Sequence, residues 1–111
     1  MKTTTLTTLL RAALAASLTL AFAALARAAD APDNWKAKCA MCHAADGSGN
    51  TAIGKKNKLQ DYTSAEVQTK LTNEEITKTI TDGKKPMPSY KDKLTPDEIK
   101  ALAAYIRTLK K

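Results

Sequence analysis

Residues 38–44 read KCAMCHA. Cys39 and Cys42 stand three apart and His43 follows directly, and these are the only cysteines and the only histidine in the 111-residue chain. On a helical turn, positions i and i+3 share a face, so the two thiols are presented together with the imidazole beside them. A disulfide between them would close too short a loop to staple a fold. The cluster is therefore built for a bound group or for a redox reaction.

Three chemistries compete for it. A dithiol oxidoreductase would use Cys39 and Cys42 alone, and that motif ordinarily follows a strand in a βαβ unit; no alternating strand pattern precedes it here. A zinc site asks for about four ligands, usually from two separated pairs, and no second Cys/His pair exists. Covalent haem attachment needs this spacing, with each thiol on one vinyl group and the next histidine held against the iron from the same side. The expectation is one covalent haem c, bound through Cys39 and Cys42, with His43 as its proximal axial iron ligand.

The opposite axial position has no second histidine to fill it, which leaves methionines and lysines. Met1 lies at the extreme N-terminus, and Met41 lies inside the motif, on the His43 side of the ring. Met87 stands between Pro86 and Pro88. Each proline fixes its own φ, and Pro88 restricts the backbone of Met87 as well. Met87 thus occupies a rigid loop rather than a helix stripe, where it would be core packing, and is expected to be the distal axial ligand of the iron.

The N-terminus reads as an export signal. Residues 1–11 are polar with Lys2 and Arg11, residues 12–26 are an uncharged run rich in Ala and Leu, and Ala26-Arg27-Ala28 is a small-x-small site. The apolar run is shorter than the ~20 residues that span a bilayer. Residues 1–28 are expected to be a cleaved signal peptide, leaving residues 29–111 as one domain in the periplasm with no stable membrane span. The full chain carries a net charge of +7. Cleavage removes three of its 18 basic residues and none of its 11 acidic ones, which leaves +4. The remaining lysines are scattered and aromatics are few, so a nucleic-acid partner is not expected. A domain this small commonly needs a staple beyond its apolar core, and a covalent haem would serve.

The rest of the domain reads as helices joined by long loops. Pro32 and Asp33 could open a short helix through Trp35 to the cysteines. Thr63 with Glu66 fits a capping box ahead of Val67 and Leu71, and Thr72 with Glu75 fits another ahead of Ile76 and Ile80, with Gly83 as a stop. Thr95-Pro96-Asp97-Glu98 is the strongest start. The helix it opens carries Ile99, Leu102, Ala103, Ile106 and Leu109 at helical spacing and ends in Lys110-Lys111. Residues 46–59 and 83–94 read as loops. The fold class is all-α, with about four short helices wrapped around one haem.

With these features in place the sequence resembles the class I cytochromes c, especially small bacterial monohaem members. The carriers are CAMCH at 39–43, DGSGNTAIGKK at 46–56, GKKPMPSY at 83–90 and LTPDEIKALAAYIRTL at 94–109. The resemblance implies N- and C-terminal helices crossing nearly at right angles, with Trp35 at the crossing against Leu102 and Tyr105. Three positions depart from the family pattern. Ala31 and Ala44 stand where many members have glycine. Ala52 stands where many have proline, near the carbonyl that hydrogen-bonds the axial histidine.

The function expected is an exported, monomeric one-electron carrier, with no catalytic residue, that exchanges electrons with redox partner proteins through an acidic docking surface on the partner. Lys55, Lys56, Lys58, Lys84, Lys85, Lys91 and Lys93 supply the matching basic rim. Two other readings use the same motif. One is a haem-bearing subunit of a larger oxidoreductase. The other is a haem enzyme or gas sensor with a labile Met87, which would call for a distal His or Arg; the domain has no second His, and its one Arg is Arg107.

Overall fold

A computed structural model describes residues 30–111. The expected signal peptide lies outside the described residues. Five helical elements and no strand occur among them.

Helix α1 occupies residues 30–43 and is already helical ahead of Pro32, earlier than the sequence reading placed its start. Its middle, Trp35–Cys39, is a π-helical turn in which the Ala40 N–H reaches back to the Trp35 carbonyl. Its last turn, Ala40–His43, is α-helical again. A π turn inserts one extra residue and re-phases the side chains that follow, and such turns concentrate at functional sites. Here Trp35 is 2% exposed in the core, while Cys39 and Cys42 beyond it are half-buried.

Helix α2, Ala52–Lys56, falls within a stretch expected to be loop. Its cap explains it. Thr51 accepts from the Gly54 N–H at 2.8 Å and donates to the Cys42 carbonyl at 2.6 Å. Gly54 has no room for a side chain, since a Cβ there would fall on the carbonyl of Gly49 and 2.9 Å from that of Cys42. The glycine-rich stretch thus folds back onto the attachment turn through a threonine cap that a loop-like composition conceals.

Helix α3 is Ala65–Lys70, and its cap is Ser64 rather than Thr63. Thr63 is instead drawn to Asp61, which accepts from both its N–H and its hydroxyl. Leu71 therefore ends the helix as its C-cap and is not part of it. Helix α4, Asn73–Asp82, opens with both halves of the Thr72/Glu75 capping box in place and buries Ile76 and Ile80. Helix α5, Pro96–Thr108, opens with the Thr95/Glu98 box and Pro96 at its first position, and buries Ile99, Leu102, Ala103 and Ile106. The 3–4 spacing of these residues gives one apolar stripe facing the core.

The core gathers that stripe with Trp35, Ile76, Ile80 and Leu94. Leu102, fully buried, sits in this cluster; truncating such a side chain to alanine typically costs about 2–5 kcal/mol. The Trp35 and Tyr105 rings meet at 5.9 Å, as the resemblance implied. Ala31 is packed in, at 2% exposure, so its methyl is accommodated where a glycine was the family expectation.

Between α4 and α5 the chain forms no helix, as the two prolines required. Gly83 turns it at φ +76°, and a Cβ there would lie 2.7–2.8 Å from the backbone of residues 87–89. Lys84 and Met87 then exchange two backbone hydrogen bonds at 3.0 and 2.8 Å. The Tyr90 N–H donates to the Ile80 carbonyl, and Leu94 plugs the core below.

Candidate haem site

Helix α1, the 57–62 loop, helix α4 and the Met87 loop enclose a cavity of about 750 Å³. Cys39, Cys42, His43 and Met87 all line it. The four residues singled out in the sequence, from two segments more than forty positions apart, are thus brought to one chamber. Ile53, Leu59, Leu71, Ile76, Ile80 and Leu102 supply apolar wall. The size and character suit a large, mostly apolar ligand with a few fixed polar attachments. The donor set, two thiols, an imidazole nitrogen and a thioether sulfur, matches a covalently held haem iron. Among the described residues no cluster of three or more His, Cys, Asp or Glu could hold a bare metal ion.

The attachment turn is held from both sides. The Trp35 indole N–H donates to the carbonyls of Ala44 and Ala45 at 3.2 and 3.1 Å, and Thr51 takes the carbonyl of Cys42. Burial pushes the Cys39 thiol up to about 11, with Lys38 opposing the rise. A reactive dithiol needs the reverse shift, since the thiolate is the nucleophile. Burial also lowers the His43 pKa, favouring the neutral imidazole that binds metal.

His43 sits in a group of rings. Tyr62 lies nearly parallel to it, 24° between planes and 5.4 Å between centroids, and Trp35 lies 5.7 Å away at 39°. The buried His43 Nδ1 has no hydrogen-bond partner among the described residues. Nothing in the sequence pointed to Tyr62, nineteen residues beyond His43 and on no shared helix.

The Met87 loop is pinned as well. The Tyr90 hydroxyl donates to the Lys38 carbonyl at 3.0 Å, joining this loop to α1 across 52 residues. The Ser89 hydroxyl donates to the Thr81 carbonyl. Lys58, Lys84 and Lys85 line the mouth of the cavity, so the two lysine-bearing loops do border one crevice. Lys55, Lys56, Lys91 and Lys93 are exposed but are not part of its wall. Arg107 is engaged elsewhere, on Gln68, Leu71 and Asn73, and does not reach the cavity. The distal arginine that a peroxide-handling site would require is therefore missing from this wall.

An all-α wrap around a chamber that joins a CxxCH turn to a methionine loop defines a c-type cytochrome. Residues 26–106 match the model of the family described as cytochrome c oxidase, cbb3-type, subunit III, and the chain belongs to that family. It is 34% identical to cytochrome c6 of Nostoc sp. over 82% of this chain and 81% of the relative. It is 42% identical to the cbb3-type cytochrome c oxidase subunit FixP of Azorhizobium caulinodans over 66% of this chain, but spans only 24% of that relative's length. The KustC0563 c-type cytochrome superposes with a TM-score of 0.70 at 35% identity, covering 74% of this chain and 99% of that one. The chain is thus a haem-based electron carrier of the cytochrome c family rather than an enzyme, and its cofactor is haem c.

Proposed function

We propose that the chain is an exported, freestanding one-electron carrier whose single haem c is held by Cys39 and Cys42 and ligated by His43 and Met87. The convergence of those four side chains on one apolar cavity carries the reading. When bound, the haem supplies a one-electron couple. Cys39 and Cys42 keep it from being lost between encounters. His43 and Met87 would both hold the iron, which would leave no place on it for a substrate, and a thioether donor would raise the potential relative to a second histidine. The apolar wall excludes water from the group. Exposed lysines at the mouth steer an acidic redox partner toward the haem edge.

The match to cytochrome c6 over most of both chains favours a freestanding carrier, and no described helix is long and apolar enough to cross a membrane. The second reading is a carrier subunit of a larger oxidase, favoured by the family model and the FixP match. Mass spectrometry of protein isolated from the periplasm tests the proposal. The expected species begins near residue 29 and carries one haem mass that survives denaturation. Full accumulation of equally coloured Cys39→Ser/Cys42→Ser protein would overturn the attachment. Co-migration with oxidase subunits through size exclusion would replace the freestanding reading with the second.

A further inference from the structure

We propose that the hydrogen bond from the Tyr90 hydroxyl to the Lys38 carbonyl is a latch that holds the Met87 loop closed, making Tyr90 a positioning residue that keeps small ligands off the iron. The inference rests on the reading of Met87 as the distal ligand. Tyr90 stands three residues after Met87, and Lys38 directly precedes Cys39. The bond, 3.0 Å long, therefore ties the loop that carries the distal sulfur to the helix that carries the attachment turn. Tyr90 and Lys38 both line the cavity, so the bond joins two of its walls.

Among the described residues no other hydrogen bond joins residues 83–94 to α1. Lys84 and Met87 bond each other's backbone. Beyond Met87 the bonds run to α4. The Ser89 hydroxyl and the Lys91 N–H both donate to the Thr81 carbonyl, and the Tyr90 N–H donates to that of Ile80. These bonds shape the loop and seat its base on α4, and all of them are compatible with a loop lifted off α1. The Tyr90–Lys38 bond is the one that must break in that motion. The Tyr90 ring itself packs against the core, with the Lys93 ammonium 5.5 Å from its centroid. Phenylalanine preserves both contacts and removes only the hydroxyl. Losing one neutral hydrogen bond shifts an opening equilibrium by about three- to tenfold. A ligand that needs the open form gains apparent affinity in proportion to the population of that form.

The test is imidazole binding to the ferric, haem-loaded protein, followed by loss of the far-red band in wild type, Tyr90→Phe and Arg107→Ala. In wild type the observed rate is expected to reach a plateau as imidazole is raised, because Met87 must leave first. Tyr90→Phe is expected to keep the far-red band when imidazole is absent, but to bind imidazole about three- to tenfold more tightly than wild type. Arg107 lies away from the cavity wall. Arg107→Ala lowers stability without touching the latch, and is expected to bind imidazole as wild type does. Wild-type affinity in Tyr90→Phe overturns the proposal. An equal gain in Arg107→Ala also overturns it, because general loosening would then account for the effect. Wild-type protein that shows no far-red band, or whose binding rate climbs without a plateau, overturns the reading of Met87 instead, and this is seen before any variant is compared.

Discussion

Ala44 holds φ 67° and ψ 157° immediately after the attachment histidine. That region is essentially reserved for glycine, and a residue with a Cβ held there carries about 1–3 kcal/mol of strain. The Trp35 indole, bonded to the Ala44 carbonyl, and the Ala44 N–H bonded to the Ala40 carbonyl leave the backbone little choice. Glycine relieves the strain and returns part of the gain as unfolded-state freedom, about 0.4–1 kcal/mol. Ala44→Gly should therefore stabilise the holoprotein by about 1 kcal/mol, raising its melting temperature by about 4–8 °C for a domain of this size. A thermal melt of the two proteins with matched Soret spectra checks it. Met87 is the other decisive residue. Met87→Ala should keep covalent haem, lose the weak far-red band of methionine-ligated ferric haem, and lower the reduction potential. An unchanged band in that variant would remove Met87 from the iron.

Among the elements, the hinge between α3 and α4 depends on α5. Arg107 donates to the Gln68 carbonyl at 2.8 Å, the Gln68 side chain at 2.9 Å, the Leu71 carbonyl at 2.6 Å and Asn73 Oδ1 at 2.9 Å. One planar fork thus gathers the C-terminus of α3 and the start of α4 onto the last helix. Hydrogen bonds from a charged donor contribute about 1.5–3 kcal/mol each where they are shielded, but part of this set is solvent-exposed. Arg107→Ala should destabilise by about 2 kcal/mol, read as a lower urea midpoint with an unchanged slope. Arg107→Lys should recover less than half of that, because a single ammonium cannot serve a four-acceptor fork. The Soret and far-red bands should stay as in wild type, since Arg107 does not line the cavity.

For the whole molecule, charge placement matters more than charge total. Lys58, Lys84 and Lys85 meet at the cavity mouth, with Lys91 and Lys93 exposed on the same loop as Met87. Surface charges contribute little to stability, but a one-signed rim raises encounter rates, and the effect fades with salt. Reversing Lys84, Lys85, Lys91 and Lys93 to glutamate should leave the melting temperature nearly unchanged. It should slow electron exchange with an acidic partner by about tenfold or more at low ionic strength, with the difference closing as salt rises. Stopped-flow rates against ionic strength report this; matching rates and slopes would move docking to another face.

The attachment motif, the proline-flanked methionine and two of the capping boxes were legible in the sequence because each is local chemistry. Cys39, Cys42 and His43 fall within five consecutive positions, and Thr72/Glu75 and Thr95/Glu98 satisfy backbone groups within three residues. Local competition defeated the same reading at α3, where Asp61 takes Thr63 and hands the cap to Ser64. It also hid α2, whose cap bonds a carbonyl nine residues away. The long-range features were decided by tertiary structure alone. The Arg107 clasp and the contact of the Tyr62 ring with His43 each join positions that share no sequence period. They exist because the core clusters Trp35 with the stripe of α5 and thereby draws the 62–73 segment over the attachment turn. A pattern can announce which residue types could hold a haem, but that Cys39, Cys42, His43 and Met87 meet in one cavity depends on how the chain folds.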